Sequence, residues 1–123
     1  MYDVIIVGGG VAGCSAAVTA RMRNLSTVVV YNGDGAMGKA HRIDNYPGMP
    51  QINGKELVDR MRDHARQMGA ETKQGLVQKI LPMGDSFSVL VNNDVLEGKA
   101  IILACGTSRV QTLENEEDLL GMG

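Results

Sequence analysis

The sequence predicts an α/β domain of three layers, a parallel sheet with helices against it and a small antiparallel meander, and three observations carry that expectation. A continuous β-branched run, Val4-Ile5-Ile6-Val7, leads straight into glycines and reads as a strand buried on both faces. A glycine-rich turn and a small-residue segment then reach a second such run, Val28-Val29-Val30. Beyond Glu71 the pattern changes to short β-prone segments separated by turn sequences, and a last apolar run closes the series at residues 100–104.

Taken in order, the first strand lies centrally in the sheet. Residues 11–24 are small or helix-compatible, and Ala16, Ala17 and Ala20 offer a smooth face that lets a helix approach the sheet closely. Residues 26–31 form the second strand, and strand, helix and strand in so short a span make a right-handed βαβ unit with a parallel pair. Residues 32–50, rich in glycine and proline without periodicity, are loop, and a loop of this length in a compact domain is usually functional.

A second helix is punctuated at both ends. Asn53 caps it, Glu56 completes a capping box, and Gly69 stops it. Leu57, Val58, Met61, Ala65 and Met68 share one face, and Lys55, Asp59, Arg62, Asp63 and Arg66 fall mostly on the other, the pattern of an ordinary amphipathic helix. Strands are expected at residues 75–81, 86–91 and 95–99, joined by Pro82-Met83-Gly84-Asp85 and Asn92-Asn93-Asp94 as an antiparallel meander. Residues 100–104 then return to the parallel sheet as a separate, fully apolar strand, and Glu114-Asn115-Glu116-Glu117-Asp118 is a solvated charge run.

Composition narrows the function classes. A net charge of −2, one Phe, three Tyr and no Trp supply neither a basic field nor stacking platforms, which argues against nucleic acid as a partner. No apolar stretch approaches the roughly 20 residues of a membrane span, and residues 4–7 lack the flanks and length of a signal peptide. A soluble, cytoplasmic protein with no membrane contact is expected. Two cysteines far apart, Cys14 and Cys105, match neither a metal-ligand spacing nor a disulfide framework.

The chemistry sits in Gly8-Gly9-Gly10-Val11-Ala12-Gly13, a match to G-x-G-x-x-G. Gly8 allows the tight turn off the strand, Gly10 lets the backbone approach a pyrophosphate, and Gly13 lets the helix lie against the strand. The amides of Val11 and Ala12 and the positive end of the helix complete the anion site. The pattern alone occurs in chance loops, but here it follows an apolar strand, opens a small-residue helix and precedes a second strand. The same fingerprint calls for an acidic residue about 20 positions on to hold the adenosine ribose. Asp34 is the nearest carboxylate, Asn32 could serve through its amide oxygen, and a solvated turn is the alternative for Asp34. No neighbouring Arg in sequence signals a ribose 2′-phosphate.

Three segments in order, residues 3–13, Ile43-Asp44-Asn45-Tyr46-Pro47-Gly48 and Ile101-Ile102-Leu103-Ala104-Cys105-Gly106, resemble the N-terminal FAD-binding half of low-molecular-weight thioredoxin reductases, within the pyridine nucleotide-disulfide oxidoreductases. The Asn-Tyr-Pro-Gly element discriminates, because many flavin and nicotinamide enzymes share the glycine fingerprint. The resemblance implies a Rossmann-like FAD-binding ββα three-layer domain, incomplete at its C-terminus. It also implies FAD as cofactor, with Asn45 beside the flavin and Ala104 and Gly106 approaching it. The intact parent would pass electrons through the flavin to a thioredoxin-like protein disulfide. Residues 1–113 would be the partial FAD-binding domain and 114–123 an acidic tail or the start of a linker to a pyridine-nucleotide domain. Exposed sheet edges would favour association, such as a homodimer.

This sequence departs from the family pattern in two places: Ala36-Met37-Gly38-Lys39 stands where Gly-Gly-Gln is usual, and Ala104-Cys105-Gly106 stands for Ala-Thr-Gly. Family members also carry a Cys-x-x-Cys pair in their second domain. Neither cysteine here has such a neighbour, so no catalytic residue is expected in this chain, which reads as a fragment inactive by itself. Cys14 is expected to fill a tight helix and sheet contact, and Cys105 to be a buried stand-in for threonine. His41, with Lys39 and Arg42, reads as a solvated loop cluster, and His64 as helix surface. Two other readings stay open: the FAD domain of a different flavin oxidoreductase linked to NAD(P)H or ferredoxin, and a non-catalytic dinucleotide-binding module.

Overall fold

The structure, a computed structural model, describes residues 1–107. Strand β1 (Tyr2–Val7) leads through the glycine turn into helix α1 (Val11–Met22), and β2 (Thr27–Tyr31) pairs parallel to β1 with Val4 opposite Thr27 and Val7 opposite Val30. Helix α2 (Gly54–Gln67) follows the long loop. Strands β3 (Glu71–Gln74), β4 (Val77–Pro82), β5 (Phe87–Val91) and β6 (Asp94–Leu103) complete a six-stranded sheet in the order β3-β2-β1-β6-β5-β4. The α/β class, the central parallel strands and the antiparallel meander are as the sequence predicts.

The two faces of β1 and β2 bury different layers. Val4, Ile6 and Val29 pack with Ala17 of α1 and Ala65 of α2. On the opposite face Ile5, Val28 and Val30 pack with Val89 and Val91 of β5, so the meander covers the side the helices leave. The strand that makes this possible is β6. Its first half pairs antiparallel with β5, from Asp94 opposite Val91 to Gly98 opposite Phe87, and its second half pairs parallel with β1, from Gly98 opposite Tyr2 to Leu103 opposite Val7. Gly98, shared by both pairings, is buried, and a Cβ there would come within 2.8 Å of Ile5 Cγ1 and Cδ1.

Several expectations are corrected. The expected strands at 95–99 and 100–104 are one strand, because Gly98 lets the chain change partners without breaking. Strand β3 lies where no apolar pattern points to a strand. It is a polar edge strand held by parallel bonds to β2, and Gly75 and Leu76 separate it from β4. The last apolar run is covered on only part of its surface: Ile102 is 39% and Leu103 67% exposed, since no element among the described residues packs over them. Helix α1 ends at Met22 rather than Asn24.

Asn53 caps α2 as expected, its Oδ1 accepting from the amides of Lys55 and Glu56, but Glu56 does not close the box and instead accepts from Arg60 one turn on. Leu57, Val58 and Ala65 are fully buried, each large one contributing about 2 kcal/mol through the area it removes from water. The long loop carries a 3-10 turn at Met37–Lys39 and a single bridge between Ile43 and Ile52. The acidic run at residues 114–118 lies outside the described residues. No described helix is long and apolar enough to cross a membrane.

Candidate functional site at the glycine turn

The C-terminal ends of β1, β2 and β6 open onto one cleft of about 890 Å³, walled by the glycine turn, the loop after β2, the start of β4 and residues 103–107. Ligands in open α/β sheets bind at this place, outside the carboxyl ends of the strands. The volume lies within the range of about 300–1,000 Å³ usual for small-molecule and cofactor sites.

The turn is built by close backbone approach. Gly8 holds φ +118°, a conformation that side chains rarely adopt, and a Cβ on it would overlap the carbonyl of Ala104. A Cβ on Gly13 would overlap the carbonyl of Gly8, so Gly13 lies beneath the turn, against the strand exit. Gly10 has no atom of the described residues within 4 Å of its Cβ position and faces open space there. The first helical bond of α1 is from the amide of Cys14 to Gly10 O at 3.0 Å, which leaves the amides of Val11, Ala12 and Gly13 without an intrahelical acceptor. No acidic side chain occupies that first turn. Unclaimed amides, a positive helix end and room for an approaching group are what a pyrophosphate needs.

The structure draws most of the nominated residues together. Gly8, Gly10, Val11, Ala12, Asn32, Asp34, Ala104 and Gly106 all line the cleft. Gly13, buried beneath the turn, and Asn45 do not; Asn45 stands exposed in the loop beyond the 3-10 turn, where Arg42 Nε donates to Asp44 Oδ1 at 2.6 Å. His41 and His64 are exposed.

Arg62 was not legible as part of this site. The helical pattern places it on the charged face of α2, yet it is 5% exposed. Its Nε donates to Gly9 O at 2.9 Å, Nη1 to Asp34 Oδ1 at 3.0 Å and Nη2 to Gly33 O at 2.6 Å, and its guanidinium carbon lies 4.0 Å from the Tyr31 ring centre. Asp34 is therefore an ion-paired, half-buried carboxylate rather than a solvated turn residue. Gly9, the unassigned position of the motif, is buried against Tyr31 and Arg62, and a Cβ there would press on the Tyr31 side chain. Leu76, Val77 and Leu103 add an apolar wall that the sequence pattern does not single out.

The cysteines part ways. Cys14 is buried, its Sγ donating to Gly9 O at 3.5 Å, and burial pushes its thiol up while Arg62 and Arg66 pull the other way. A buried thiol of this kind is a poor nucleophile. Cys105 corrects the expectation of burial: it is an exposed, free thiol on the cleft wall, because the chain leaves the sheet after Leu103 and nothing described covers it.

Comparison with known proteins agrees with this geometry. The profile of the pyridine nucleotide-disulphide oxidoreductases matches residues 2–122. The thioredoxin reductase of Aquifex aeolicus is 38% identical over 128 residues, a match that takes in 100% of this chain and 40% of that protein. The crystal structure of Lactococcus lactis thioredoxin reductase superposes with a TM-score of 0.85 at 33% identity over 97% of this chain and 40% of its own. A ferredoxin-flavin thioredoxin reductase from Clostridium acetobutylicum gives 0.78 at 33% identity over 99% of this chain and 43% of its own. The chain thus spans about 40% of the length of the relatives it matches. With its glycine turn, its sheet order and these likenesses taken together, the chain belongs to the pyridine nucleotide-disulphide oxidoreductase family.

Proposed function

We propose that this chain is the FAD-binding part of a thioredoxin reductase-like flavoprotein that delivers electrons to a protein disulfide, a thioredoxin-like protein being the partner of the whole protein. The observation that carries the reading is the glycine turn of residues 8–13, where Val11 and Ala12, whose amides have no acceptor among the described residues, line a cleft of cofactor size. Gly8, Gly10, Val11 and Ala12 would hold the pyrophosphate, with Gly13 supporting the turn from beneath, Asp34 or Asn32 the ribose, and Ala104 and Gly106 the flavin end. Asn45 would reach the flavin only if its loop closed over the cleft. When bound, the flavin supplies two-electron redox chemistry, and the protein's share is to bind and orient it. Cys14 is buried and Cys105 exposed, both free, and in this reading reduction of a disulfide to two thiols falls to groups outside these residues.

A ferredoxin-linked donor is a second reading, favoured by the likeness to the Clostridium acetobutylicum structure named above. The test of the FAD reading is direct. Incubated with FAD and freed of excess ligand, the protein is expected to retain a visible flavin absorbance band, and Gly10→Val to lose it. Binding of adenine nucleotides with no flavin retained would instead assign a non-catalytic dinucleotide-binding module.

A further inference from the structure

We infer that Arg62 is the positioning residue that shapes the adenosine end of the cleft, tying the β1–α1 turn to the loop after β2 and leaving one oxygen of Asp34 free for a ribose diol. The inference rests on the dinucleotide-binding reading above.

The neighbouring arginines of α2 behave as surface residues, Arg60 pairing with Glu56 and Arg66 with Asp63 along the helix, both more than two-fifths exposed. Arg62 alone turns inward, and its acceptors belong to two loops far apart in the chain. A cation this buried is costly unless its donors are met. Here they are met by the Gly9 and Gly33 carbonyls and by one carboxylate oxygen, with the guanidinium plane over Tyr31. That planar, many-donor geometry is one that lysine cannot reproduce.

Two consequences follow for a ligand. Asp34 Oδ1 is fixed by Arg62, whereas among the described residues Oδ2 has only a loose contact with Lys55 at 3.7 Å and is open to accept from a hydroxyl. The Arg62 charge also offsets that of Asp34, so a diphosphate entering the cleft does not meet an uncompensated carboxylate.

The test compares the wild-type protein with Arg62→Lys, Arg62→Met and Asp34→Asn. Binding of ADP, which carries the diol and the diphosphate, and of FMN, which lacks the adenosine half, is measured well below the melting temperature of each variant. Arg62→Lys should weaken ADP binding about tenfold or more, equivalent to about 1.4 kcal/mol, and leave FMN binding unchanged. In an Asp34→Asn background the same substitution should cost ADP binding much less, because the two side chains act as a unit. Unchanged ADP affinity in folded Arg62→Lys, or equal losses for ADP and FMN, overturns the role assigned to Arg62. A wild-type protein that binds neither FAD nor ADP overturns the dinucleotide reading itself, and the two failures are distinct. Should Arg62→Met fail to fold, Arg62→Lys still decides.

Discussion

Cys14 and Cys105 are the same side chain put to opposite ends by their neighbours. Cys14 is 1% exposed and spends its weak S–H donor on Gly9 O, and its desolvated thiol resists ionisation. Cys105 donates only a long contact to Val7 O and faces the cleft. A disulfide-forming thiol reagent at neutral pH should therefore modify one cysteine per chain quickly, that cysteine being Cys105, with Cys14 following only on unfolding. Cys105→Ser should remove the fast phase, and saturating FAD should slow it. Two fast equivalents would show that the turn opens readily and that the burial of Cys14 does not protect it. Arg62 teaches the complementary lesson: at one position of a helix whose pattern is plainly amphipathic, a charged side chain on the polar side is drawn inward by three acceptors. Helical spacing carries no trace of them, because they sit 28 to 53 positions away in the chain.

Among the elements, β6 is the one on which the layering depends. Its two halves serve two different partners, and the exchange occurs at Gly98, where Ile5 fills the space a side chain would need. Gly98→Ala should lower stability by about 1–3 kcal/mol, the usual cost of forcing an extra carbon into a packed core. Measured by urea unfolding, the cost of Gly98→Ala should shrink in an Ile5→Ala background, which removes both Cγ1 and Cδ1; additive losses would mean that the contact is not what excludes a side chain. The elements legible in the sequence were those whose own residues carry the signal: β1 and β2 through β-branched runs, α2 through its apolar stripe and its Asn53 cap, the meander through its turns. Strand β3 was not legible, because Glu71-Thr72-Lys73-Gln74 is polar and holds its edge position through partners elsewhere, Tyr2 donating to Glu71, Arg66 to Thr72 and Lys73 to Asp94. The turn that forms the site was legible for a reason of the same kind as β1: bare glycines at fixed spacing are both the signal and the device.

At the scale of the whole molecule, the strands that bear the cleft are tied together at the opposite end by Asp3. Its amide donates to Ser26 Oγ at 2.8 Å, its Oδ2 accepts from the Ser26 amide at 2.8 Å, and Lys99 of β6 lies 3.4 Å from Oδ1, so one side chain near the start of β1 links the approach to β2 and the middle of β6. The bond from the Ser26 amide, aided by its hydroxyl and by Lys99, holds the Asp3 carboxyl below its ordinary value. The sign of the linkage is fixed by that direction. Above the unfolded-state value, near pH 4, the carboxylate is ionised in both states and its native contacts count in full. As pH falls from there through the lower folded-state value, the unfolded chain takes up the proton first and the contribution is lost. Urea midpoints followed from neutral pH to about pH 2 should accordingly fall less steeply below about pH 4 in Asp3→Asn than in the wild type, the variant being less stable at neutral pH and the two curves converging in acid. Curves that stay parallel through this window would assign the acid sensitivity of the sheet to other carboxylates, and the link between β1, β2 and β6 at this end would then rest on the backbone ladder alone.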